Sequence, residues 1–427
     1  MKTKLLIFGI TGDLGTRKLL PALEQIISTG DFEDLSVIGV SRHAVNVADL
    51  FIKCKSKTFL DGRLSIFEMD LGKLDDYFRL KESLSLGSDE QLIIYLAVPP
   101  KATSEIVDLL GEAGINSLNV KVLFEKPFGV DLASAKQLIE RTALYFSEEQ
   151  TYRIDHYLAK EMSQNIVAFR GQNALFSDIW NNNFIESIEI IASEKIDIEG
   201  RAQFYEQTGA LRDVVQGHLI QLLALTLMDI PPDLDWGKMP ELRLASLGHL
   251  HLLNPHQVVR AQYEGYRDEV SNSASMVETF VSIELCSHQP QWLGVPIKLI
   301  TGKALSETTT EIRIRLKKAD EAQSNRLTFR IQPDEGIDIE LFSKKPGYNR
   351  TCEVRHLSFN YPADTKLPDA YEQVIVDAIS SQKSLFASSE EVLQSWRILQ
   401  PIQDDLIMDK NEPKLYKKGS SIDSILA

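Results

Sequence analysis

The sequence predicts two units of different class: a doubly wound parallel sheet with helices on both faces over residues 1–155, then a larger α+β unit over 156–427, built on a mostly antiparallel sheet backed by helices. Three observations carry this expectation. At 427 residues the chain exceeds what one ordinary hydrophobic core supports. Its first third alternates short apolar strands with amphipathic helical stretches, the pattern of a parallel α/β sheet. Beyond Asp155, strand-like runs follow one another without helices between them, as antiparallel sheets require.

Taken in order, residues 4–8 form a short apolar strand, Gly9 to Gly12 break it, and residues 14–27 read as a helix with one apolar face. Further strands are expected at 35–40, 64–69, 91–98 and 120–124, with helical patterns in the gaps, notably at 102–113 and 132–145. This is the arrangement of a Rossmann-like sheet. In the second unit, 160–170 and 210–228 read as helices, and 185–196, 279–285, 297–300, 310–316 and 327–332 as strands. Helices at 370–380 and 389–399 follow. The charged tail from Gln403 is expected to be loosely held.

Composition excludes several function classes. Acidic residues number 61 against 46 basic ones, a formal charge of −15, which argues against a nucleic-acid backbone or an anionic membrane surface as partner. An anionic substrate would need its own cluster of cations. Cys54, Cys286 and Cys352 are scattered and show no metal-ligand spacing, so buried, reduced thiols and no metal site are expected. The apolar start is too short for a secretory signal, and Asp13 stands where a small-residue cleavage site would be needed. Residues 219–228 are too few to span a bilayer and are interrupted by Gln221. A cytoplasmic location is the expectation.

Gly9-Ile10-Thr11-Gly12-Asp13-Leu14-Gly15 joins the first strand to the first helix. A dinucleotide pyrophosphate needs backbone N–H groups at a helix start and glycines that let the main chain come close. The spacing is G-x-x-G-x-x-G, and a plain glycine turn that starts a helix is the alternative. The second strand ends Gly39-Val40-Ser41-Arg42-His43, without the carboxylate that NAD sites place there for a ribose hydroxyl. Arg42 is suited to a 2′-phosphate, favouring NADP, unless it is an ordinary solvated arginine.

The stretch from Tyr152 to Glu161, Tyr-Arg-Ile-Asp-His-Tyr-Leu-Ala-Lys-Glu, crowds ionisable groups into ten residues. If a helix begins near His156, then His156 and Lys160 share a face with Tyr157 beside them, forming a phosphate pocket at a positively polarised helix start. In the simpler alternative Asp155 caps that helix and the rest are solvated. His218 lies on the stripe Leu211, Val215, His218, Leu222, which by periodicity alone describes a buried core histidine.

These motifs resemble the glucose-6-phosphate dehydrogenase family, whose signature R-I-D-H-Y-L-G-K-E is matched here except for Ala159 in the glycine position. The resemblance extends in family order through the glycine turn, Phe124-Glu125-Lys126-Pro127-Phe128-Gly129, Arg212 to His218, Gly302-Lys303-Ala304-Leu305, Arg330-Ile331-Gln332-Pro333 and Leu367 to Glu372, covering nearly the whole chain. It implies oxidation of glucose 6-phosphate at C1 to the lactone with hydride transfer to NADP, the first step of the oxidative pentose phosphate pathway. It further implies His218 as general base and Asp155 as its partner. His156, Tyr157 and Lys160 would hold the 6-phosphate. Lys126 would lie where coenzyme and sugar meet, with Glu194, Asp213, Lys303 and Gln332 as further substrate contacts. Gly9, Thr11, Gly12, Asp13, Leu14, Gly15 and Arg42 would serve the coenzyme. A homodimer or dimer of dimers is implied as well. Two rival readings are a dehydrogenase of another sugar or sugar phosphate, and a silent paralogue that binds nucleotide or sugar phosphate and regulates a partner.

Some positions depart from the family pattern. Those matched to a second, structural NADP are Ile300, Thr309, Asp338 and Glu340, with Arg313 retained, so that second site is expected to be absent. Thr308 stands where some members carry a cation. Ala159 adds a methyl group expected to crowd the substrate loop. The chain is also shorter than most members between Arg42 and Pro99.

Overall fold

The computed structural model describes residues 2–54, 60, 62–318, 324–362, 364–408 and 411–427; Met1 and the Cys54 side chain lie outside them. Six parallel strands build the first sheet: β1 (Lys2–Phe8), β2 (Leu35–Ser41), β3 (Leu64–Glu68), β4 (Glu90–Leu96), β5 (Val120–Phe124) and β6 (Thr151–Ile154). Their spatial order is β6-β5-β4-β1-β2-β3, so the chain reverses direction at β1 and leaves a crevice at the strands' carboxyl ends. β1 and β4 end in apolar runs because both faces are covered there: Leu5 and Ile7 face one core, Leu6 and Phe8 the other.

The second sheet comprises β7 (Ile185–Ser193), β8 (Leu250–Leu252), β9 (Val259–Tyr263), β10 (Phe280–Ser287), β11 (Ile297–Gly302), β12 (Thr309–Leu316), β13 (Arg326–Gln332), β14 (Gly336–Lys344) and β15 (Cys352–Asn360). Most pairs are antiparallel, but β7 and β11 run parallel, with Ser193 opposite Gly302. Residues immediately after these two strands therefore emerge side by side. The apolar helix 220–227 lies against this sheet in a single core.

Two short late strands extend the two sheets, and the first of them ties the units together. β16 (Phe386–Ala387) pairs antiparallel with β6 and completes a seven-stranded sheet. It is held by Arg243, whose guanidinium donates to the Ser384 and Phe386 carbonyls at 2.5 and 2.8 Å and to Glu391 at 2.7 Å. β17 (Lys414–Tyr416) adds to β9.

The structure corrects several expectations. Among the described residues the tail is docked, with Tyr416 and Ile425 buried in one cluster; its many charged residues concealed the apolar ones that dock it. No helix begins at His156: residues 156–159 form turns and the helix starts at Glu161, because the Asp155 carboxylate binds the Tyr157 N–H at 2.9 Å and tightens the chain there. Cys352 is exposed on β15 and Cys286 half-buried, not both in the core. The Ala159 methyl group is buried in the first core. Strands β14 and β15 carry no clear apolar signal because polar residues alternate along both and β15 is the exposed outer strand. Among the described residues no helix is long and apolar enough to cross a membrane.

Candidate active site

The glycine turn is built for close approach. Gly9 has a φ of +82°, and a Cβ there would sit 2.2 Å from the Ala97 carbonyl oxygen; one at Gly15 would sit 2.4 Å from that of Ile10. Both distances exclude any side chain. The Gly12 N–H closes the turn on the Gly9 carbonyl at 2.9 Å. Thr11, Gly12 and Asp13 are exposed, Leu14 is half-buried and Gly15 buried at the helix start. The first turn of that helix, Gly15–Leu19, has π-type hydrogen bonding. Asp13 pairs with Arg17 at 2.8 Å in solvent. Arg42 follows β2 beside this turn, since Val40 is the register partner of Phe8. It is exposed and has no ion pair among the described residues. A backbone cradle with a neighbouring unengaged guanidinium fits a phosphorylated dinucleotide.

At the carboxyl ends of β5 and β6 three charged or titratable groups meet. His218 Nδ1 lies 2.9 Å from Asp155 Oδ1, although 63 positions separate them. Lys126 Nζ lies 3.0 Å from Asp155 Oδ2 and 2.7 Å from His218 Nδ1, and it contacts the Gly217 carbonyl. One ring nitrogen cannot both donate to Asp155 and accept from Lys126. The ammonium has the Gly217 carbonyl as acceptor and an ion pair with Asp155 Oδ2, so it does not need Nδ1, and Nδ1–H is free to donate to Asp155 Oδ1. Nε2 then carries the free lone pair. His218 stands on the π-helical segment Leu211–Leu219 together with Asp213. That segment begins where Gly209 adopts a φ of +60°.

The other matched residues arrive from the second sheet. Glu194 and Lys303 follow the parallel pair β7 and β11 and form an ion pair, with Lys303 buried beneath it. Gln332, at the end of β13, donates to Tyr157 Oη at 3.3 Å and to Thr310 Oγ1 at 3.1 Å. The Tyr157 ring lies 4.2 Å from that of His218, and the His156 ring 4.4 Å from it. Lys160 is half-buried at the start of helix Glu161–Gln172. Neighbouring strands are about 4.8 Å apart, so β1 and β5, with β4 between them, separate the glycine turn from Lys126 by roughly 10 Å. An extended dinucleotide matches that span.

Burial pushes His218 below the usual histidine range; Lys126 adds to this, while Asp155 opposes it. His156 is driven down further by burial, then by His218 and Lys126. Burial alone would raise Asp155, but the Lys126 ammonium and the His218 ring hold it well below the carboxylate range. At neutral pH the site thus contains an ionised carboxylate and a neutral imidazole.

Lys126, His156, Tyr157 and, through Tyr157, Gln332 are tied to His218 by contacts or ring neighbours, Glu194 and Lys303 are tied to each other, and Asp213 acts electrostatically on Lys126 and His218. Two neighbours went unrecognised in the sequence. Glu278 is buried and caps the segment that carries His218, its carboxylate accepting from the Leu211 N–H at 2.9 Å and its carbonyl from Ala210 at 3.0 Å. Thr310 sits under Gln332. Neither had a local signal, because each works only through a partner distant in the chain. Thr308 accepts from the Lys195 N–H at 2.9 Å. Of the positions matched to a second nucleotide, Asp338 pairs with Arg330 at 2.7 Å, Glu340 with Arg326 and Arg313 with Glu311, while Ile300 is buried. The Lys126–Pro127 bond is cis.

A doubly wound sheet with a glycine cradle, facing a carboxylate–imidazole pair at its carboxyl end, defines a pyridine-nucleotide-dependent dehydrogenase. Residues 6–165 match the family model for the glucose-6-phosphate dehydrogenase NAD binding domain, and residues 167–424 match that for its C-terminal domain. The chain is 33% identical to glucose-6-phosphate 1-dehydrogenase of Dickeya dadantii, over 97% of this chain and 94% of that protein. It is 35% identical to that of Rhizobium meliloti, over 93% and 89%. A solved glucose-6-phosphate dehydrogenase in complex with its substrate superposes with a TM-score of 0.92 at 30% identity, covering 98% of this chain and 95% of the other. The chain belongs to the glucose-6-phosphate dehydrogenase family.

Proposed function

We propose that this protein oxidises glucose 6-phosphate at C1 to 6-phosphogluconolactone, with NADP as the hydride acceptor and His218 as the base. One observation carries the reading: the Asp155–His218 pair meets Lys126 at the carboxyl ends of β5 and β6, in the same sheet whose first strand ends in the glycine turn. Gly9, Thr11, Gly12, Asp13, Leu14 and Gly15 would hold the coenzyme's pyrophosphate side and Arg42 its 2′-phosphate. When bound, the nicotinamide supplies the site that accepts the hydride from C1.

His218 Nε2 takes the proton of the C1 hydroxyl as that C–O bond becomes the lactone carbonyl. The depressed affinity of the ring for protons keeps it neutral and ready to do so at neutral pH. Asp155 fixes the tautomer and stabilises the imidazolium that forms. Lys126 orients both and faces the reacting carbon. His156, Tyr157 and Lys160 supply the cationic and hydrogen-bonding end for the 6-phosphate, while Glu194, Asp213, Lys303 and Gln332 receive the sugar hydroxyls. A carboxylate suits a hydroxyl because it only accepts.

The direct test follows reduced nicotinamide by absorbance across a panel of sugars, sugar phosphates and both oxidised coenzymes. Turnover with glucose 6-phosphate and NADP⁺ is expected. Turnover only with a different sugar would select another dehydrogenase, and none, with nucleotide still bound, a silent paralogue. Coenzyme choice is tested separately: Arg42→Ala should raise the KM for NADP⁺ by about 10-fold or more, as losing a charged hydrogen bond does, and leave NAD⁺ nearly untouched. An equal loss for both would remove the 2′-phosphate clamp.

A homodimer is part of this reading. Its support is the outermost strand β15, exposed along almost its whole length, with Leu341, Leu357 and Phe359 exposed on one face.

A further inference from the structure

We infer that the C-terminal strand acts on the sugar end of the site: Tyr416 is a positioning residue that sets Lys303 against Glu194. The inference rests on the reading of Lys303 as a substrate contact.

Thr279 Oγ1 accepts from the Tyr263 N–H at 2.9 Å, which leaves its own proton for Tyr416 Oη, also at 2.9 Å. Tyr416 Oη in turn donates to the Lys303 carbonyl at 2.6 Å. The Lys303 N–H meanwhile donates to the Thr279 carbonyl at 2.9 Å. Both backbone groups of Lys303 are therefore tied to the same buried unit, and every hydroxyl in it has a defined direction. The next residue, Ala304, has a φ of +52°, a conformation a side-chain-bearing residue keeps only where its surroundings hold it. Its carbonyl accepts from the Gly419 N–H at 2.7 Å, and the Ser306 N–H donates to the Ser420 carbonyl at 3.0 Å. The tail thus clasps the loop on both sides of the turn. Lys303 itself is 3% exposed and lies 5.5 Å over the Tyr205 ring. A side chain so enclosed has no freedom to correct a shifted backbone, so the carbonyl bond sets where the ammonium ends.

Tyr416→Phe keeps the ring, which packs edge-on against Tyr263 and Phe280, and removes only the hydroxyl. The KM for glucose 6-phosphate should rise about 5- to 10-fold, as losing one buried hydrogen bond implies. The coenzyme KM and kcat should stay within about two-fold on the same logic, because neither depends on Lys303. Lys303→Met should raise the sugar-phosphate KM more, and adding Tyr416→Phe to it should cost nothing further. A rise in Lys303→Met with none in Tyr416→Phe, or effects that simply add in the double variant, overturns the positioning role alone. An unchanged sugar-phosphate KM in Lys303→Met overturns both the substrate role and the positioning built on it.

Discussion

His218→Asn should lower kcat by about 10²–10⁴-fold, the range general-base catalysis contributes, while the KM for glucose 6-phosphate moves little. Asparagine fits the space and can still donate to Asp155, so the buried carboxylate keeps a partner and the fold survives. What is lost is the lone pair at Nε2, the acceptor proposed for the proton of the C1 hydroxyl. Because His156, Tyr157 and Lys160 are untouched, phosphate binding should persist. Steady-state kinetics on the purified variant, with near-ultraviolet circular dichroism as a folding control, decide the matter. A well-folded variant with near-normal kcat would falsify His218 as the base.

Asp155→Asn carries the other large effect and a distinctive pH signature. Burial is the main force lowering His218, Lys126 adds to it, and the Asp155 carboxylate pulls the other way. Removing that negative charge lets the histidine fall further, so its protonation, and the acid limb of kcat/KM, should move to lower pH. Turnover on the plateau should nonetheless drop by about 10²–10⁴-fold, because an amide can present its NH₂ to Nδ1 and stabilise the wrong tautomer, and no carboxylate remains to stabilise the imidazolium. Lys126 also loses its counter-charge at 3.0 Å, so thermal unfolding should be followed alongside. A profile whose acid limb shifts upward, or a variant with normal plateau turnover, contradicts the pairing.

The alternation in the first third was legible because its signals are local. β5 was placed at residues 120–124 as found, and the glycine turn where β1 ends, since apolar runs and φ-permissive residues act within a few positions. His218 shows the boundary of such reading. Its stripe correctly predicts burial, yet the same stripe could not say that the ring meets Asp155. The helix expected at 160–170 is found at Glu161–Gln172, but it does not reach back to His156, because the Asp155 side chain closes a tight turn there. Tyr416 lies in the charged tail expected to be loosely held, yet Lys418 beside it pairs with Asp197 and Glu269 on the body of the protein.

Chain order alone was enough to establish the two-unit architecture, the nucleotide-type turn, and the residue types available for chemistry. Which of those residues act together was settled by folding. Lys126, Asp155 and His218 come from two strand ends and one π-helical turn, and Glu194 reaches Lys303 only because β7 and β11 lie parallel. The reason is physical: periodicity reports which face of an element is apolar, but ion pairs and hydrogen bonds decay within a few ångströms, so their partners are chosen by packing distances that no spacing along the chain encodes.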